Sequence, residues 1–226
     1  MKKFQLILLI LSASMILQVA EAQDWANLKR FQEENSRLTP LSKGEKRVVF
    51  MGNSITEGWK RINPEYFQNN PYVNRGISGQ TTPQMLLRFK QDVIDLNPTA
   101  VVILAGINDI AGNTGPSTQK MITDNIFSMA ELAKSYGIKV LICSVIPAAD
   151  FPWRPGMEPA PKVVELNNAL KAYAKENKIT YVDYFSAMVN ANNGLKDELG
   201  TDGVHPNEAG YQVMEPILEA ALKKAL

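Results

Sequence analysis

The stretch that decides the fold is Val48-Val49-Phe50-Met51-Gly52-Asn53-Ser54-Ile55-Thr56-Glu57-Gly58-Trp59. Its first five residues are apolar and rich in strand formers, with no polar alternation. That pattern predicts a strand buried on both faces, the normal state of a parallel sheet covered by helices. The run then passes through glycine, asparagine and serine into a helical pattern. At such a handover the first helical N–H groups are unpaired and the helix dipole favours negative charge. Ser54 therefore stands where a hydroxyl can attack a carbonyl while its own N–H meets the developing oxyanion. Asn and Ser are also ordinary helix caps, and this stretch alone does not separate the two readings.

Outward from this stretch the same order repeats. Strand-like runs are read at Tyr72–Asn74, Val101–Gly106, Lys139–Ile146 and Ile179–Tyr184. Helical patterns fill the gaps at Gln84–Leu96, Ser117–Tyr136, Val163–Asn177 and Asn207–Leu226. Alternation of this kind predicts an α/β chain: a three-layer α/β/α sandwich on a five-stranded, flavodoxin-like parallel sheet. Ligands of such sheets bind beyond the carboxyl ends of the strands, and chemistry is sought there. Further upstream, Asp24 suits the cap of a helix carrying Trp25, Leu28 and Phe31 on one side. Ser42 to Lys46 reads as a turn. Pro147–Pro161, with five prolines, reads as a stiff surface loop.

Two more strand ends and the approach to the last helix carry polar groups. After the second strand comes Asn74-Arg75-Gly76-Ile77-Ser78-Gly79-Gln80-Thr81-Thr82, whose glycines permit a tight turn before a helix capped by Thr81 or Thr82. After the third comes Gly106-Ile107-Asn108-Asp109, where an asparagine amide can point at a reacting centre or simply stabilise a turn. Before the last helix lies Asp202-Gly203-Val204-His205-Pro206. His205 is the only histidine, so any histidine-dependent chemistry must use it. Asp202, three residues earlier across a glycine turn, can fix its tautomer. Pro206 suits the first position of the final helix.

The chain has 226 residues, enough for one domain without staples. Lys2 and Lys3, the apolar run Phe4–Leu17 and Ala20-Glu21-Ala22 predict a signal peptide over 1–22, followed by a single domain over 23–226. An uncleaved membrane anchor is the alternative. Cleavage predicts a secreted or periplasmic protein with no integral membrane association. It would leave 22 basic and 22 acidic residues, a balance that argues against nucleic acid as a partner. Cys143 is the only cysteine and reads as a core residue, so neither an internal disulfide nor a cysteine zinc site can form.

Taken together, these residues resemble the SGNH hydrolases, also called GDSL-type lipases or acylhydrolases. The resemblance runs from about Val48 to the C-terminus. Gly52-Asn53-Ser54 matches the block usually written Gly-Asp-Ser, Gly79 the second block's glycine, and Asn108 the third block's asparagine. Asp202 and His205 match the Asp-x-x-His block. The resemblance implies a serine esterase needing no metal or organic cofactor. Ser54 is its nucleophile, His205 its base and Asp202 the orienting acid. The N–H groups of Ser54 and Gly79 and the amide of Asn108 form the oxyanion hole. Asn53 departs from the family's aspartate without removing a reacting group. The pattern differs from that of α/β-hydrolases, whose nucleophile sits in Gly-x-Ser-x-Gly.

The expected substrate is a small-molecule or glycan ester, with carbohydrate O-acetyl esters ahead of lysophospholipids or longer-chain lipid esters. Trp59, Phe151 and Trp153 are candidate sugar platforms or ordinary packing, and Arg154 is a candidate contact for an anionic substrate or a solvated side chain. A glycan-binding module without catalysis and a flavodoxin-like cofactor binder are the competing classes. The first is disfavoured by the complete polar set. The second is disfavoured by the scarcity of glycine after Gly52.

Overall fold

The computed structural model describes residues 24–226; the expected signal peptide lies outside them. Five strands form one sheet: β1 (Val48–Gly52), β2 (Tyr72–Gly76), β3 (Ala100–Leu104), β4 (Lys139–Cys143) and β5 (Thr180–Val182). All pairs are parallel, in the order β2-β1-β3-β4-β5. Gly52 ends β1 in register with Gly76 on one side and Leu104 on the other. The strand order reverses at β1, so the crevice beyond Gly52 is the switch point of the sheet, where open α/β sheets place their ligands.

The helices are α1 (Gln32–Ser36), α2 (Ser54–Ile62), α3 (Pro64–Gln68), α4 (Thr82–Asp92), α5 (Ile107–Ile110), α6 (Gln119–Ser135), α7 (Pro159–Glu176), α8 (Phe185–Met188) and α9 (Glu208–Ala225). Helices α4, α6 and α7 pack in sequence along one face, while α9 covers β4 and β5. On that second face an aromatic stack holds α2, α3 and α9 together. Trp59 lies parallel to Tyr66 at 5.3 Å and near-parallel to Tyr211 at 5.4 Å, with Phe50 edge-on at 5.8 Å. β1 and β3 are buried throughout, as their unbroken apolar runs predict.

Two glycines set how closely these parts meet. A Cβ on Gly52 would lie 2.0 Å from Thr56 Oγ1, and one on Gly76 would lie 2.2 Å from the backbone nitrogen of Glu57. The ends of β1 and β2 can therefore touch the first turn of α2 only as glycine. Asn74 reinforces this junction, donating Nδ2–H to Thr56 O at 2.6 Å and accepting from Gly76 N at 3.0 Å.

The N-terminal arm differs from expectation. Asp24 does accept from the N–H groups of Leu28 and Lys29, but it caps a turn. Asn27 adopts a left-handed φ of 55°, which a continuous helix does not tolerate, and α1 begins only at Gln32. Trp25 is half exposed while Phe31 is buried. The arm is held instead by three glutamines: Gln80, Gln84 and Gln91 donate side-chain N–H to the carbonyls of Ala26, Trp25 and Leu28. Phe31 packs beneath the guanidinium of Arg75 at 4.6 Å. The proline segment is also shorter than expected. Pro159 and Pro161 belong to the first turn of α7, where a missing N–H costs nothing.

Candidate active site

Ser54 opens α2 immediately after β1. The preceding Asn53 caps the helix, its Oδ1 accepting from Ile55 N at 3.0 Å. An amide oxygen meets this requirement as well as a carboxylate would, so the departure at Asn53 preserves the local geometry. The Ser54 hydroxyl lies 2.9 Å from His205 Nε2, although 151 residues separate them in sequence.

His205 is held by a short polar loop. One Asp202 oxygen accepts from the backbone N–H groups of Val204 at 3.0 Å and His205 at 2.8 Å; the other lies 2.7 Å from His205 Nδ1. Gly203, at a φ of 80°, makes the turn. With Nδ1–H directed at the carboxylate, Nε2 presents a lone pair to the Ser54 hydroxyl. Partial burial pushes the Asp202 pKa upward, but the backbone and imidazole hydrogen bonds together outweigh it and the net shift is downward. Asp202 is therefore charged throughout the range in which an imidazole titrates. Pro206 does not start the final helix. Asn207 is the cap, accepting from Gly210 N, and Pro206 pairs with Gly200 just before it.

The loops after β2 and β3 meet each other. Gly79 has a φ of 78° with open space where a side chain would stand, so glycine is required by backbone conformation and not by crowding. Asn113 donates to Gly79 O at 3.1 Å and fixes that peptide. Asn108, almost fully buried, donates Nδ2–H to Gln80 O at 2.9 Å. One amide hydrogen thus ties the two loops together, and the second has no partner among the described residues. Next to it, the Asp109 carboxylate receives the N–H and hydroxyl of Thr82 at the start of α4. Burial raises its pKa to about 6 despite these bonds.

The aromatic candidates separate. Trp59 is only 1% exposed, and its indole N–H goes to Glu215. Its position on α2 turns it into the core, which rules it out as a sugar platform. Phe151 is fully buried. Trp153 is 47% exposed, stacks on Phe151 at 5.2 Å, and stands 5.9 Å from the His205 ring. Arg154 uses Nη1 to bond the carbonyls of Ala111 and Gly112, fastening the proline loop to the segment after α5.

Several supports had no signal in the sequence. Arg88 is completely buried, bonding Gln80 Oε1, Asp92 and the carbonyl of Gly52 at the end of β1. Gln80, Asn74 and Asn113 hold the loops just described. Each is a single polar residue in an unremarkable context, and only the tertiary partner reveals its use.

An α/β/α sandwich with a hydroxyl, an imidazole and a carboxylate in series at its switch point defines a class: proteins with the groups acyl transfer requires. Within that class, the chain matches the GDSL-like lipase/acylhydrolase family over residues 50–213 and belongs to it. A GDSL-like lipase from Bacteroides thetaiotaomicron is 53% identical and superposes with a TM-score of 0.87, covering 89% of this chain and 99% of that one. Esterase TesA of Pseudomonas aeruginosa is 26% identical over 77% of this chain and 82% of its own length. The acetylxylan esterase of Xylanibacter ruminicola is 28% identical over 78% of this chain, but the match spans only 43% of that longer protein.

Proposed function

We infer that the protein is an exported serine ester hydrolase whose preferred substrates are O-acetylated carbohydrates. The observation that carries this reading is the 2.9 Å contact between Ser54 Oγ and His205 Nε2, backed by Asp202 at 2.7 Å from Nδ1. His205 takes the hydroxyl proton as Ser54 Oγ bonds to the ester carbonyl carbon. The oxyanion is received by the N–H groups of Ser54 and Gly79 and the free amide hydrogen of Asn108. Collapse breaks the carbon–oxygen bond to the alcohol, which leaves with the proton from His205. Water then repeats the sequence on the acyl-serine, releasing the acid and restoring the hydroxyl. Asp202 stabilises the imidazolium in both halves.

Two further observations support the finer reading. The basic start, apolar run and Ala-x-Ala motif at the N-terminus support export, with residues 1–22 as the signal and 23–226 as the mature domain. Among the described residues no helix is long and apolar enough to cross a membrane. Trp153, half exposed beside His205, offers a flat apolar face suited to a sugar ring. Hydrolysis of 4-nitrophenyl acetate and of acetylated xylan, set against a long-chain 4-nitrophenyl ester, tests the substrate class. A preference for the long chain overturns it in favour of a lipid esterase. Labelling by a fluorophosphonate, lost in Ser54→Ala, tests the nucleophile; undiminished labelling rejects the assignment.

A further inference from the structure

Beside the Ser54–His205 pair lies a cavity of about 600 Å³, walled by Ser54, Gly58, Arg61, Thr201, His205 and Tyr211. Its floor is one face of α2. Ser54, Gly58 and Arg61 stand at i, i+4 and i+7, so they lie in line along the helix. Gly58, in the middle of this line, is buried, and the Tyr211 hydroxyl occupies the space where its side chain would begin, 2.9 Å from a Cβ, with Arg61 Nη2 at 3.9 Å. The cavity forms a trough that passes Tyr211 on its way from the serine to the guanidinium. Seven residues of helix span roughly 10 Å.

Arg61 is the cation of this cavity. Among the described residues it makes neither a hydrogen bond nor an ion pair. The acidic residue on the same wall, Glu57, is already engaged: Oε2 accepts from Ser78 N at 3.0 Å, and Oε1 lies 3.6 Å from Arg30. A planar donor fork left free at the end of this trough suits a carboxylate. The side of the ester follows from proton delivery. His205 protonates the leaving oxygen, so the alcohol must lie against His205, and His205 walls this cavity. Of the three oxyanion donors only Ser54, the reacting residue itself, lines it; Gly79 and Asn108 do not.

We propose that this trough is an anion-reading subsite in which Arg61 receives a carboxylate carried on the alcohol part of the ester, making acetylated uronic-acid glycans the preferred substrates. The assignment rests on the reading of Ser54 and His205 as nucleophile and base.

The test compares kcat/KM for acetylated oligogalacturonate with that for acetylated xylo-oligosaccharide, which lacks the carboxylate. In Arg61→Gln the ratio of the two should fall roughly tenfold, chiefly through KM, as befits one partly solvated charge pair. Arg61→Lys should retain part of the preference, and added salt should erode it in the natural protein. A 4-nitrophenyl succinate hemiester, whose carboxylate is on the acyl side, should not depend on Arg61. An unchanged ratio in Arg61→Gln overturns the subsite, and loss confined to the hemiester overturns its placement on the alcohol side. Failure of the underlying reading looks different: Ser54→Ala would keep its activity on both glycans.

Discussion

Replacing Asp202 by asparagine isolates the contribution of one negative charge. The substitution keeps the shape of the loop and an oxygen able to accept from the backbone N–H groups of Val204 and His205, so the turn should persist. What changes is the contact at 2.7 Å to His205 Nδ1. An amide opposite that nitrogen no longer favours the tautomer that leaves Nε2 free, and it offers no charge to the imidazolium. Two unit charges about 4 Å apart interact by about 1 kcal/mol in bulk water and about 4 kcal/mol near a protein surface. The two side chains are 36% and 32% exposed, which places this pair between those limits, at about 2–3 kcal/mol. The lost tautomer preference adds to this. Turnover should therefore fall about 10²- to 10³-fold, short of the roughly 10⁴-fold typical of a fully buried aspartate. The assay is kcat and KM for 4-nitrophenyl acetate, with circular dichroism and thermal melting to establish that the variant is folded. The loss should lie in kcat, since Asp202 touches no substrate. A folded Asp202→Asn enzyme within about threefold of the natural rate would refute the reasoning.

Other perturbations test separate parts of the site. Asn108→Ala should lower kcat by about 10²- to 10³-fold, the cost of one oxyanion donor, measured with the same ester. Asn53→Asp should change activity by less than about tenfold, because either side chain caps Ile55; a rise of orders of magnitude would mark the natural protein as a weakened enzyme. Gly76→Ala drives a methyl into the backbone of Glu57 and should cost at least about 3 kcal/mol, read as a large fall in Tm. Asp109 gives a stability test in pH. Its folded pKa of about 6 exceeds the ordinary 3.8, so between those values the folded state binds more protons than the unfolded one. Its contribution to stability is greatest below pH 3.8 and declines as pH rises through 6, by about 3 kcal/mol in total. Unfolding titrations in urea should show that decline in the natural protein, and a difference curve against Asp109→Asn that is flat would refute it.

The sheet was legible because its strands are buried on both faces. Val48–Val49–Phe50–Met51 and Val101–Val102–Ile103–Leu104 have no polar member that would permit another reading. The candidate site was legible at its reacting groups, since a lone histidine three residues after an aspartate admits few alternatives. Element ends were read less well. The strand predicted over Lys139–Ile146 stops at Cys143, because beyond it Val145 pairs its N–H with the side chain of Asn167 and not with a neighbouring strand. The supporting layer was opaque for a different reason. Gln80 and Arg88 look like ordinary polar residues of a loop and an exposed helix face, and their burial depends on an arm more than 50 residues away. Trp59 misled because its aromatic ring suits a sugar and a core equally, and only the helix phase decides.

That arm has a practical corollary. The carbonyls of Trp25, Ala26 and Leu28 are knotted to Gln84, Gln80 and Gln91, and Gln80 in turn receives Arg88 and offers its own carbonyl to Asn108. A fusion partner joined at Asp24, or a protease cut before Thr39, would reach the Asn108 amide through two hydrogen bonds, and the cut would also release Arg75 of β2 from Phe31, Glu34 and Asn35. Such a clipped enzyme would look intact by circular dichroism yet hydrolyse slowly, so preparations should be judged by turnover and not by fold alone.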